Sequence, residues 1–247
     1  MIPIAILIGD EELPDGPDVA AKVYRSFGED VPTKSAPPSL REYLDAVEWG
    51  AFDEALVLTP AAEFTVMYRN ARLAATMSRR HVEVVDTRTA AAGQGLIALV
   101  AAEALEAGAS AAEAAALVRT AAPRAELVAM LPDLTWIERS GHVPATALEA
   151  KASSQGAQPL FRFSAGSIDP LSGAGSDADA ASVLRATWEA SGGPDAERTL
   201  FFHAAHHAEA LRFRQLLGRS DPIVEFSPAM TVHTGIGCVG VAWMRAR

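Results

Sequence analysis

The sequence predicts an α/β protein of two units, and three observations carry that expectation. Short apolar runs rich in Val, Ile, Leu and Phe alternate with helical stretches over about the first 120 residues. Runs of this kind fit strands buried on both faces, as in a parallel sheet covered by helices. The chain changes character beyond Pro123, and its 247 residues, 49% hydrophobic and 21% charged, suffice for one large core or two modest ones.

Pro3–Ile8 reads as the opening strand, followed at once by Asp10, Glu11 and Glu12. Ser39 is a good cap for a helix over Leu40–Trp49. Ala55–Leu58 is the next strand, and the loop Thr59–Phe64 leads into a helix over Tyr68–Met77. The strand Val82–Val85 precedes two Ala/Leu-rich helices, Ala90–Ala107 and Ser110–Thr120, separated by Gly108 and punctuated by Pro123. This order is that of an α/β unit with a parallel sheet. Beyond it, Ala125–Met130 and Pro159–Phe163 read as strands, the latter turning at Ala165–Gly166. Pro132–Ser140 reads as a helix ended by Gly141, and Asp169–Asp179 as a loop. A strand at Leu200–Phe202 lies between helices at Ala180–Ala190 and Ala205–Leu217, and a strand, loop and strand around Thr231–Met244 close the chain. The boundary is expected near Ala122–Arg124, giving units 1–124 and 125–247.

Charge and composition exclude several classes of function. With 31 Asp and Glu against 21 Lys and Arg, the net charge is −10, and no run of basic residues is present. That argues against nucleic acids and anionic membrane surfaces, which need phosphate-neutralising charge. The apolar start is too short for a secretory signal, and no stretch reaches the roughly 20 apolar residues of a spanning helix. The lone Cys238 forms no internal disulfide. A cytoplasmic protein without stable membrane insertion, binding a small molecule or another protein, is expected.

Several constellations bear on chemistry. Thr231-Val-His-Thr-Gly-Ile-Gly-Cys238 offers side-chain donors beside a backbone that a ligand can approach closely. Asp86 and Thr87 end a strand at the edge where ligands of open α/β sheets gather. Gly93-x-Gly95 lies too far past the strand, and lacks the third glycine, for a dinucleotide fingerprint; close helix packing is the better reading. Thr33 and Ser35, ahead of Pro37 and Pro38, form a hydroxyl cluster that fits either turn chemistry or an anion. His203, His206 and His207 lack a third-ligand motif, so no metal and no cofactor is assigned. No nucleophile elbow, phosphate loop or His-Glu-x-x-His motif occurs, and no catalytic residue is assigned.

Taken in order, these segments resemble the DegV family of bacterial fatty-acid-binding proteins. Ile4–Asp10 is similar to its opening strand ending in Asp, and Thr33–Pro37 to its Thr-Ser-x-Pro motif. Val82–Gly95 is similar to the Val-x-Val-x-Asp-Ser strand with its Gly-x-Gly helix. Leu131–Gly141 resembles the Asp-Leu-x-x-Leu-x-x-Gly-Gly-Arg segment, and His233–Gly237 with Gly240 the closing His-Thr-Gly-Pro-Gly-x-x-Gly. The resemblance implies a two-domain fold, an N-terminal parallel-sheet Rossmann-like domain and a C-terminal α/β domain, with the ligand cleft between them. It implies a non-catalytic carrier of a long-chain fatty acid, which some members hand to a separate fatty-acid kinase.

Head-group contacts are then expected from His233, Thr234, Gly235 and a hydroxyl of Thr33 or Ser35, with Asp86 at the strand edge. The loop Leu58–Tyr68 aligns with the family's Ser-Ser-x-Leu-Ser-Gly-Thr-Tyr and places Ala61 and Ala62 where two serines are expected. Ala62 is kept as a lining position, and Thr59 or Thr65 substitutes for the lost hydroxyls. Val66 replaces the loop glycine, His142 the arginine of the Gly-Gly-Arg segment, and Ile236 the proline of the last motif. Two rival readings remain: an interaction module that has lost the lipid site, and a nucleotide- or phosphosugar-using enzyme resting on Asp86 and Gly93–Gly95.

Overall fold

The computed structural model describes residues 1–135, 158–171 and 177–246. The helix expected from Pro132 to Ser140 and the loop expected over Asp169–Asp179 therefore fall in part outside the described residues, and His142 does so entirely.

β1 (Ala5–Ile8) turns through Gly9, at φ +57°, into β2 (Glu11–Pro14), and β3 (Thr33–Ala36) pairs with its other edge. Both pairings are antiparallel, whereas the apolar run suggested a parallel setting. For β1 and β2 the two-residue connection dictates this, since parallel neighbours need a long crossover. Between β2 and β3 lies a helix the sequence reading passed over, α1 (Ala20–Gly28), which presents Val23, Tyr24 and Phe27 to Ile6 and Ile8.

The parallel pairing lies further on, between β4 (Glu54–Thr59) and β5 (His81–Asp86), joined through α3 (Met67–Met77). α2 (Leu40–Glu48) precedes them and opens on the expected Ser39, whose hydroxyl accepts from Glu42 N while the Glu42 carboxylate accepts from Ser39 N. The same reciprocal box, Ser110 with Glu113, opens α5 (Ala111–Ala121) after α4 (Ala91–Glu106). Each such box satisfies two otherwise unpaired donors.

The remaining strands form one six-stranded sheet in the order β10-β9-β11-β6-β7-β8. Its members are β6 (Ala125–Met130), β7 (Leu160–Ser164), β8 (Ser167–Pro170), β9 (Arg198–His203), β10 (Ile223–Glu225) and β11 (Val239–Met244). Only β9 and β10 pair in parallel. The helices among them are α6 (Asp177–Ala190), α7 (His207–Leu216) and α8 (Pro228–Thr234).

Strand alternation divides the core into two layers. Leu127, Ala129, Phe161, Phe202 and Ala242 face Leu96 and Ile97 of α4 and the side chains of Leu58 and Val85. On the opposite face Val128, Phe201, Val241 and Trp243 meet Leu184 and Trp188 of α6 and Phe213 of α7. α4 packs on the six-stranded sheet while its neighbour α5 packs on β4 and β5. A helix held between two layers is apolar on most sides, as α4 is. Gly93 and Gly95 lie inside α4, where a β-carbon would meet Thr89 and Leu127, or Leu200. Close packing is thus the use of Gly93, as the sequence reading preferred, whereas at Gly95 a β-carbon would make only ordinary contact.

Candidate functional site

β3 and α8 bring together two of the residues singled out from the sequence. Alternation along β3 turns Thr33 and Ser35 to one face, the one covered by α1 and α8. Ser35 Oγ lies 2.7 Å from His233 Nε2, across 198 residues of chain and in a partly buried setting. Thr33 differs. Its hydroxyl donates to Val31 O at 3.0 Å and lies 2.7 Å from Ser26 Oγ, so it is engaged with the segment behind it. The two hydroxyls therefore belong to a strand and not to a turn.

A second correction concerns the closing motif, where Thr231–Thr234 is helical and only Val239–Met244 is a strand. Ser227 caps α8 and Pro228 occupies its first turn, signals that outweigh the β-branched residues within it. Asp15 Oδ1 accepts from Ala229 N, and Ala229 and Val232 pack on Ile6 and Val23. Those contacts hold the last turn, with His233, against β3. Gly235 ends the helix at φ +76°, a conformation that favours glycine. Thr234 Oγ1 donates to Met230 O at 3.1 Å, so that hydroxyl is committed to its own helix. Cys238, directly beyond, is fully buried, and burial pushes its thiol up to about 12.

The other expected residues lie at the C-terminal edge of β4 and β5. Asp86 accepts from Ala62 N at 3.3 Å and from Arg88 N at 2.8 Å, tying two loops together. Ala61 N donates to Thr89 O, and Thr87 donates to Thr59 O through both its amide and its hydroxyl. Thr65 Oγ1 accepts from Met67 N at the entrance of α3. Ala61 is sealed from solvent, Ala62 is exposed. Thr59 is wholly buried and its Oγ1 has no hydrogen-bond partner among the described residues; Thr89, which sequence reasoning missed, is 2% exposed and in the same condition. A buried hydroxyl without a partner costs about 1–3 kcal/mol. α3 and α4 both begin without a side-chain cap and without an acidic residue in the first turn, an arrangement that suits an anion.

This edge also reaches the six-stranded sheet. Arg88 Nε and Nη2 donate to Ala165 O at 3.2 and 2.6 Å, and Arg88 pairs with Glu63 at 2.9 Å. Phe64 stands edge-on to Phe163 with centroids 5.5 Å apart. Two surface hollows lie away from these residues: one of about 670 Å³ beside Ala104, Gly108 and Leu117, one of about 240 Å³ beside Pro3, Leu13 and Glu42. Among the described residues no helix is long and apolar enough to cross a membrane.

A family model described as "Uncharacterised protein, DegV family" matches residues 1–246. The chain belongs to the DegV family. A DegV domain-containing protein of Streptomyces coelicolor is 27% identical over 251 residues, covering 97% of this chain and 89% of its own. Among solved structures, the fold is similar to that of a DegV family protein from Thermus thermophilus described by its fatty-acid binding. There the TM-score is 0.89 at 19% identity, over 99% of this chain and 91% of the other. A DegV family protein from Eubacterium eligens, loaded with heptadecanoic acid, matches with a TM-score of 0.84 at 18% identity, over 99% and 92% of the two chains. DegV of Bacillus subtilis, described as a fatty acid binding protein, matches with a TM-score of 0.84 at 19% identity, over 100% and 91%. The mixed α/β architecture is thus the DegV fold, and β3, the β4–α3 loop and α8 are where this DegV chain gathers its candidate polar groups.

Proposed function

We propose that this chain binds one long-chain fatty acid and acts as a carrier, without catalysing a reaction itself. The observation that carries the reading is the Ser35–His233 contact, two polar groups from opposite ends of the chain held 2.7 Å apart and partly exposed. A neutral hydroxyl and an imidazole placed together suit a carboxylate, which is costly to bury unless it meets donors. The unpartnered Thr59 hydroxyl, at the end of β4, supports Thr59 as the substitute for the serines replaced by Ala61 and Ala62. Thr33, Thr65, Thr234 and Asp86 already have protein partners, so in this reading they hold the loops in place. Ala62 and Gly235 line the approach.

For the tail, the apolar layer containing Phe161, Phe202 and Phe226, with Phe163, Ile168 and Met230 at its margin, supports a site between the six-stranded sheet and the β4–β5 edge. At about 0.8 kcal/mol per buried methylene, a tail of about sixteen carbons offers more than ~10 kcal/mol before association costs. We also propose a division near Arg124, where a single 3₁₀ turn, Ala122–Arg124, separates α5 from β6. A cytoplasmic setting and transfer of the ligand to a fatty-acid kinase belong to the same proposal. They rest on the family and not on a surface of this chain.

Native mass spectrometry of protein expressed in a lipid-containing host tests the central claim: co-purified fatty acid is expected, and repeated recovery of ligand-free protein overturns it. His233→Ala is expected to weaken fatty-acid affinity about tenfold, the worth of one hydrogen bond to a charged group, and to erase preference over the matching fatty alcohol. Unchanged affinity and selectivity would remove His233 from the head-group site.

A further inference from the structure

Arg88 and Glu63 lie at the edge of the candidate site, yet neither belongs to the head-group set. Arg88 spans two parts of the fold: its guanidinium forks onto Ala165 O, at the turn between β7 and β8, while its charge is paired with Glu63 in the β4–α3 loop. The turn is built to accept this. Ala165 has φ +50° and Gly166 φ +86°, and a β-carbon on Gly166 would stand 2.7 Å from Glu63 Oε1 and 2.9 Å from Arg88 Nη2. Arg88 itself has φ +51°, a conformation uncommon outside glycine, which the hydrogen bonds from both ends hold in place. Beneath the polar fork, Phe64 of the loop meets Phe163 of β7.

Among the described residues β8 is the edge strand of its sheet and pairs only with β7. Its register with β7 runs over Ser164–Ser167, Phe163–Ile168, Arg162–Asp169 and Phe161–Pro170. The two faces of the hairpin differ: Phe161, Phe163 and Ile168 join the apolar layer, while Ser167 and Asp169 face solvent. β7 stays paired with β6 as well as with β8, so what the fork holds is the tip, Ala165 and Gly166, beyond the last paired residues Ser164 and Ser167 and able to shift while both strands keep their pairing.

We propose that Arg88 and Glu63 latch the β7–β8 turn over the β4–α3 loop, and that release of this latch sets the rate at which the acyl ligand enters and leaves. They are positioning residues, acting through the turn and the loop without touching the ligand. The inference rests on the fatty-acid reading above. Because the latch closes over the site whether or not a ligand is inside, loosening it speeds both directions and leaves affinity almost unchanged. The Arg88–Glu63 pair is roughly half exposed on both sides, so added salt loosens it as well.

The test is stopped-flow exchange of a fluorescent long-chain fatty acid on the full chain, with affinity measured separately. Arg88→Ala is expected to raise association and dissociation rates together, at least about tenfold, with the dissociation constant changed less than threefold. Arg88→Lys, which keeps charge but cannot fork, is expected to lie between. Gly166→Ala provides an independent handle from the turn side and is expected to speed exchange in the same way. If the wild-type protein binds and both rates stay within twofold in Arg88→Ala and Gly166→Ala, the latch is wrong. Loss of affinity in step with faster dissociation, at unchanged association, also overturns it, since Arg88 would then hold the ligand. Failure of the wild-type protein to bind the probe is a failure of the fatty-acid reading, and is thereby distinguished.

Discussion

His203 closes β9 with only 4% of its surface exposed, its Nδ1 accepting from His206 N and its ring edge-on to His207. Desolvation holds its pKa below the ordinary 6.5; His206 and His207 push the same way, and Glu225 opposes them. The folded chain therefore binds this proton less readily than the unfolded chain. Its contribution to stability is present above about pH 6.5 and is lost as the pH falls through the depressed folded value. Urea midpoints at pH 7.5 and 5.5 are expected to diverge more in the wild type than in His203→Gln; equal differences would refute the assignment. Glu126 illustrates the opposite solution to burial. Its carboxylate, 1% exposed in β6, accepts from Arg162 Nε and Nη2 and lies 3.3 Å from Arg245 Nε, so the charge is never left unpaired.

At the scale of elements, β11 depends on a single missing side chain. A β-carbon on Gly240 would stand 2.3 Å from Phe202 Cζ and 2.3 Å from Val128 O, one of them backbone that cannot yield. Gly240→Ala is expected to destabilise the protein by about 3 kcal/mol in urea unfolding, at the upper end of overpacking costs; a change under ~1 kcal/mol would mean that the strands separate freely. β6 and β11 were legible as strands because each is a mostly apolar run, which the structure buries throughout, α2 because Ser39 announces it, and α5 as an Ala/Leu-rich run after Gly108. α8 was not: seven residues rich in Thr and Val mimic a strand, and only Ser227 and Pro228 mark the helix. For the candidate site, order along the chain singled out His233 and a hydroxyl of Thr33 or Ser35, and the structure brings Ser35 to His233. Arg88 and Thr89 escaped because their significance lies in contacts that sequence cannot display, a carbonyl 77 residues away for one and an unmet hydroxyl for the other.

For the molecule as a whole, a net charge of −10 does not draw in an anionic ligand from a distance, so affinity has to arise at short range. Ligand that binds only the folded state raises apparent stability, by about 2.7 kcal/mol at a hundredfold excess over the dissociation constant. For a chain of this size that is a rise in Tm of about 5–10 °C. A saturating long-chain fatty acid is expected to produce it, and ATP is not. The reverse pattern would favour the nucleotide reading of Asp86 and Gly93–Gly95.

The contact between Ser35 and His233 has a consequence in time. Ser35 leaves the ribosome 198 residues ahead of His233, which lies on a helix that docks onto β1 and α1. A partly synthesised polypeptide can fold its first sheets and still lack this pair. On the proposed fatty-acid reading, a copy clipped ahead of α8 loses its hold on the ligand before it loses the secondary structure of its first sheets.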